Sequence, residues 1–163
     1  MESGTTATLL EEWGIVPTHV YATGTGGTML KFDGTQWSTM PNSAGITEIW
    51  GIWGSSPTNL YAVGQNGAVL RSDGSTWSAM ASPVTSALFG VWGNGPNDVY
   101  AVGTSGTILH YDGTAWQVAT SPTRKHLFGI WGSGPNEMYA VGNTGEVIRF
   151  DGASWSVVPD AGT

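Results

Sequence analysis

An all-β fold made of four copies of one unit is what this sequence predicts, and three observations predict it. The first is repetition. Trp-Gly pairs begin at Trp13, Trp53, Trp92 and Trp131, in steps of 40, 39 and 39. Tyr21, Tyr61, Tyr100 and Tyr139 keep the same steps, as do Asp33, Asp73, Asp112 and Asp151, and Trp37, Trp77, Trp116 and Trp155. A fixed period near forty residues marks repeat architectures. The second is the pattern inside a unit, where short apolar runs alternate with turn-forming residues and no helical period occurs. The third is composition. With 25 Gly, nine Trp and only 10% charged residues, the chain suits short elements joined by tight turns.

The third unit shows the elements in order. Leu88 to Trp92 is an apolar run of strand length, ended by the turn cluster Gly93-Asn94-Gly95-Pro96-Asn97. Asp98 to Val102 forms the second strand and runs into Gly103-Thr104-Ser105-Gly106, a hairpin-type turn. Thr107 to Tyr111 forms the third strand, stopped at Asp112-Gly113. Trp116 to Thr120 forms the fourth, before Ser121-Pro122. A four-stranded up-and-down sheet cannot bury both faces alone, and radial stacking of such sheets solves this. The predicted architecture is therefore a β-propeller with four four-stranded antiparallel blades, a single domain over 1–163 with units near 8–41, 47–81, 86–120 and 125–159.

That architecture assigns roles to the repeated residues. Trp and Tyr fill the wedge between sheets, with loop carbonyls expected to accept from the buried indole N–H groups. The small residues of Tyr-Ala-Val-Gly suit an inner strand where blades converge. Each Asp carboxylate can accept backbone N–H groups across its own turn while the following Gly supplies a positive φ. Trp50 stands where Leu10, Phe89 and Phe128 stand and is expected in the core.

Arg71-Ser72-Asp73-Gly74-Ser75-Thr76-Trp77 and Tyr111-Asp112-Gly113-Thr114-Ala115-Trp116 resemble the Asp-box turn of BNR-type propellers, with one residue fewer between Asp and Gly. The Gly95-Pro96-Asn97-Asp98-Val99-Tyr100-Ala101-Val102-Gly103 stretch is similar to bacterial propeller arrays. The Gly-His and Trp-Asp pairs of WD40 repeats are absent, and the Gly-Gly doublet of kelch repeats occurs only at Gly26-Gly27. The resemblance covers nearly the whole chain and implies architecture rather than activity.

The first unit departs from the pattern. It reads Glu11-Glu12-Trp13 where the others read Gly51-Ile52-Trp53, Gly90-Val91-Trp92 and Gly129-Ile130-Trp131. A carboxylate at an Ile or Val position should not be deeply buried, so this unit is expected to cap the array or to border a different interface. Closure is then in question. An open four-blade arc leaves two aromatic faces for association, and two arcs meeting head to tail would close an eight-bladed ring with two-fold symmetry. That homodimer is expected ahead of a closed four-bladed ring, and a piece of a longer propeller is compatible with either.

Candidate binding residues follow from position. Lys31, Arg71, His110 and Arg149 each lie two residues before the turn Asp, placing one basic group per blade at matching height. They would recognise anionic or hydroxyl-rich ligands such as glycans or, as the favoured reading, pair with a carboxylate such as the turn Asp. The Trp series invites sugar stacking but is expected to pack. His19, Asn59, Asp98 and Glu137, which vary between units, are expected to face solvent.

Other function classes are disfavoured. There is no Cys, and His19, His110 and His126 share no metal-ligand spacing. One carboxylate per turn is too few for a strong calcium site. No Gly-x-Ser-x-Gly elbow or phosphate-binding Gly-Lys-Ser/Thr loop occurs, and no catalytic residue, cofactor or metal is expected. A net charge of −7 disfavours nucleic acid and anionic membranes. MESGTTAT lacks the regions of a signal peptide, no apolar run approaches the roughly 20 residues of a membrane span, and a soluble chain is expected. The sequence thus points to a non-catalytic propeller scaffold that self-associates, with a multivalent carbohydrate-binding lectin bearing equivalent sites between blades as the alternative.

Overall fold

In the computed structural model, which describes residues 3–42 and 45–159, sixteen strands form four separate four-stranded antiparallel sheets. The first blade comprises β1 (Leu9–Val16), β2 (His19–Gly24), β3 (Met29–Phe32) and β4 (Trp37–Thr39). The second comprises β5 (Ile49–Ser56), β6 (Asn59–Gly64), β7 (Val69–Ser72) and β8 (Trp77–Ala79). The third comprises β9 (Leu88–Gly95), β10 (Asp98–Gly103), β11 (Ile108–Tyr111) and β12 (Trp116–Val118). The fourth comprises β13 (Leu127–Gly134), β14 (Glu137–Gly142), β15 (Val147–Phe150) and β16 (Trp155–Val157). Every sheet runs in chain order, so each blade is a meander built from local pairings.

The first strand of a blade is longer than its sequence suggests. β9 continues through Gly93-Asn94-Gly95, because Gly93 pairs with Val99 and Gly95 with Asp98, and only Pro96-Asn97 turns. After the second strand the chain makes a single 3-10 turn in blades two to four. Its middle residue is left-handed, at φ 55° for Asn66, 53° for Ser105 and 52° for Thr144. The Asp-Gly turns are as expected: Gly34, Gly74, Gly113 and Gly152 have φ between 90° and 100°.

Sheets pack face to face through one recurring joint. The front of the second blade offers Tyr61, Val63 and Val69, and the back of the third answers with Leu88, Val91, Val99, Leu109 and Trp116. The two other joints use the equivalent sets around Tyr21 and Tyr100. In each joint the Trp of the Trp-Gly pair lies on the next blade's Trp-Gly glycine. A Cβ on Gly54, Gly93 or Gly132 would stand 2.9, 2.9 or 2.7 Å from Cη2 of Trp13, Trp53 or Trp92. The Trp37 series packs as expected: Trp77, Trp116 and Trp155 are buried, and Trp37 is half-buried at the back of the first blade.

Three expectations need correction. The glycine of Tyr-Ala-Val-Gly does not mark blade convergence. A Cβ on Gly103 would stand 2.0 Å from the Ala87 carbonyl, just before the first strand of its own blade. Blades converge instead at the first-strand glycines, where a Cβ on Gly51 would stand 2.7 Å from the Phe89 carbonyl of the next blade. Second, Trp50 and its equivalents are not core. The pairing of β5 with β6 skips from Ile49 to Gly51, so Trp50 is a bulge residue turned out of the strand's alternation. Leu10, Phe89 and Phe128 sit at the same skip. They form a ladder along the innermost strands, with ring centroids 5.2 Å apart for Trp50 and Phe89 and 5.4 Å for Phe89 and Phe128. Leu10 is 41% and Phe128 49% exposed.

Third, loop carbonyls do not satisfy the indoles of Trp116 and Trp155. Their Nε1 atoms are buried with no hydrogen-bond partner among the described residues. Each ring meets a Tyr of the preceding blade edge to face, Trp116 against Tyr61 at 77° and Trp155 against Tyr100 at 70°.

The run of joints does not return from the fourth blade to the first. Trp131 is 62% exposed, and Val141 is 49% exposed where Val63 and Val102 are at 1% and 0%. At the other end Leu9 and Glu12 are exposed. Glu12 holds the place of Ile52 and Val91, and it is exposed because none of the described blades packs behind the first. The four blades therefore form an open arc.

Candidate functional site: the joints between blades

Across each sheet the Trp of the first strand, the Tyr of the second and the basic residue of the third lie side by side. The pairings are Trp13, Tyr21 and Lys31; Trp53, Tyr61 and Arg71; Trp92, Tyr100 and His110; and Trp131, Tyr139 and Arg149. This row is the front face of each blade. A regular two-residue alternation puts all four basic residues on it, each beside its own tyrosine.

Two of the tyrosines also lock blades together. Tyr21 Oη donates to the Pro57 carbonyl at 2.9 Å, and Tyr61 Oη donates to the Pro96 carbonyl at 2.7 Å. Both acceptors lie at the first hairpin of the next blade. Burial raises the pKa of both phenols, with the Arg71 charge partly opposing this at Tyr61. Tyr139, with no blade in front of it, turns its hydroxyl to Glu137 Oε1 at 3.3 Å.

Three of the basic residues lie against the rings of their tyrosines. Lys31 Nζ lies 5.8 Å from the Tyr21 ring centroid and Arg71 Cζ lies 5.7 Å from that of Tyr61, both cation–π contacts. Lys31 Nζ also donates to the Gly74 carbonyl of the next blade at 3.2 Å. The His110 ring stacks on Tyr100 with centroids 4.3 Å apart, and its Nε2 lies 2.8 Å from Asp98 Oδ1. Arg149 lies 3.7 Å from Glu137 Oε1. Where a carboxylate partner exists it is the residue two before the tyrosine, Asp98 or Glu137, and not the turn Asp. Asp98 is accordingly half-buried, as are His19 and Asn59, and of the four positions expected in solvent only Glu137 is exposed.

The turn aspartates are occupied by their own backbone. Asp112 Oδ1 accepts from Thr114 N at 2.8 Å and Ala115 N at 3.0 Å, and Asp73 and Asp151 repeat the arrangement. Asp33 adds the Thr35 hydroxyl at 2.7 Å. These hydrogen bonds hold the carboxyls below the usual range, down to about 2 at Asp33, where the Thr35 hydroxyl contributes most. Among the described residues no three His, Asp or Glu side chains gather in a way that would hold a metal ion.

Between the third and fourth blades, beside His110, opens a cavity of about 500 Å³. Tyr100, Phe150 and Trp155 wall it, with Ala119 and Ser154 at its edge. The burial of Tyr100, followed by the charge of Asp98, pushes its phenol up to about 12. No position in the repeat pattern signalled this space. It lies where His110 stands in place of the longer Lys31 and Arg71.

Four antiparallel meander blades joined face to face define the class of this protein, the β-propellers. No protein-family model matches the chain, and no curated protein matches it by sequence. Solved structures do. YCF48 bound to a D1 peptide superposes with a TM-score of 0.76 at 18% identity, covering 96% of this chain and 55% of that one. YCF48 from Cyanidioschyzon merolae gives 0.71 at 12% identity, covering 98% and 61%. The WD40 repeats of RRP9 give 0.80 at 10% identity, covering 94% and 52%. The chain thus spans between half and three fifths of these proteins' length. At such identities the likeness establishes the fold. No helix of the described residues is long and apolar enough to cross a membrane.

Proposed function

We propose that this chain is a non-catalytic propeller module whose two open blade faces close onto a second copy, head to tail, to complete an eight-bladed ring. One observation carries the reading: the open faces hold the Trp and Tyr on one side and the Gly and Pro on the other of the joint used three times inside the chain, although Glu12 stands where that joint has Ile52 or Val91. Trp131 and Tyr139 stand ready on the front of the fourth blade. Gly14 and Pro17, the counterparts of Gly93 and Pro96, stand on the first. Within the chain a Cβ on Gly14 would have no Trp against it, only Val20 and the His19 carbonyl at 3.1 and 3.2 Å. The greater length of the superposing propellers, of which this chain covers 55% and 52%, also favours a larger ring than four blades. YCF48, seen with a D1 peptide, is a propeller that binds a peptide, which favours a binding role for the module. The lectin reading requires equivalent sites, whereas Lys31, Arg71 and His110 each make a different set of contacts in their joints.

Light scattering coupled to size exclusion over a concentration series tests the proposal. A particle at twice the 17.1 kDa chain, reduced to one chain by Trp131→Ala and by Gly14→Ala, is the expected result. A monomer at every concentration overturns it. So does a polydisperse series of larger particles, the product of a head-to-tail contact that fails to close.

A further inference from the structure

We propose that the cavity between the third and fourth blades is a binding site for an alkylated ammonium group. Inside this chain the front of a blade holds a cation against its tyrosine, Lys31 at Tyr21 and Arg71 at Tyr61. At the joint of blades one and two that cation bridges to the next blade's Asp-Gly turn, through Gly74. At the joint of blades three and four the corresponding side chain is His110, which is drawn back onto Asp98 and does not bridge. The space a longer cation would take is open there, about 500 Å³, within the size range of small-ligand pockets.

Its walls suit the same charge. The rings of Tyr100, Phe150 and Trp155 pack against one another, with centroids 5.8, 6.3 and 5.3 Å apart, as Tyr61, Tyr111 and Trp116 do at the second joint, and together they form one aromatic wall of the cavity. A cation near aromatic faces gains electrostatic attraction without needing hydrogen-bond acceptors. Asp98, already paired with His110, contributes its charge from the second strand, and the chain as a whole carries −7. A bare ammonium would want three acceptors. The aromatic walls offer methyl contacts instead, which points to an alkylated nitrogen such as a choline headgroup or a methylated lysine side chain. Because the joint lies within one chain, the site is independent of ring closure.

The test is titration of the protein with choline and, separately, with Nα-acetyl-trimethyllysine amide, followed by the Trp155 Nε1–H resonance assigned through Trp155→Phe. A saturable shift with either probe supports the site, and the tighter probe identifies the headgroup or the peptide side chain as its source. The neutral isostere 3,3-dimethylbutanol is expected to bind at least tenfold more weakly; equal binding overturns the cationic reading. His110→Arg, which restores the residue found at Arg71, is expected to fill the cavity and remove the shift with the melting temperature retained. Persistence of the shift in that variant, or no shift with either cation in the wild-type chain, overturns the proposal.

Discussion

Cη2 of Trp92 occupies the space a Cβ would need on Gly132, at 2.7 Å, so these two residues fit only as an indole on a bare backbone. The same Cβ would stand 2.8 Å from the Glu137 carbonyl, which cannot swing aside as a side chain can. Gly132→Ala is therefore expected to destabilise the chain by about 1–3 kcal/mol, the usual cost of overpacking, measured by urea unfolding. Gly14→Ala should cost the isolated chain clearly less, since no indole covers that glycine.

Tyr61 and Tyr100 occupy the same repeat position but differ in their bonds. Tyr61→Phe removes the hydrogen bond to the Pro96 carbonyl across a joint and is expected to cost about 1 kcal/mol. Tyr100 makes no corresponding bond to Pro135 among the described residues, so Tyr100→Phe should cost less. In alkaline titration followed by absorbance, Tyr100 is expected to ionise near 12, and Asp98→Asn should lower that value by removing a like charge.

The turn aspartates make stability depend on acid. Their folded-state values are depressed, so folding favours the carboxylate form. That contribution is whole above the ordinary carboxylate range and is lost as pH falls through the folded value, about 2 at Asp33. Unfolding midpoints should fall steadily between pH 5 and pH 2. Asp33→Asn, which keeps an acceptor oxygen without a titrating proton, should flatten part of that decline.

Thr144 is a β-branched residue at φ 52°, a conformation the second blade gives to Asn66. Thr144→Asn is expected to raise stability by roughly 1 kcal/mol, read from the denaturation midpoint. Asn66→Thr should lose a similar amount.

Much of this architecture is legible in the sequence because each blade is local. The Trp, Tyr and Asp steps fix four meanders, and the Asp-Gly turns follow from carboxylate and glycine chemistry at adjacent positions. The misread residues share a cause. Trp50, Phe89 and Phe128 are apolar and in strands, and only a one-residue bulge sends them out of the core. Such a skip leaves no mark in an alternation count. The Tyr61 bond to Pro96 joins residues 35 apart, and nothing near either one announces the other. The pairing of His110 with Asp98 was within reach. Acidic residues replace His19 and Asn59 in the third and fourth units, two positions before the tyrosine, and comparison across units isolates them.

Because every strand pairs with its sequence neighbour, a blade's hydrogen bonds need no other part of the chain, and its faces are covered once the adjacent blade forms. The joints add ties over about one repeat. Loop-closure entropy is therefore small at each step, and folding should proceed blade by blade from either end, faster than is usual for all-β chains with long-range strand pairing.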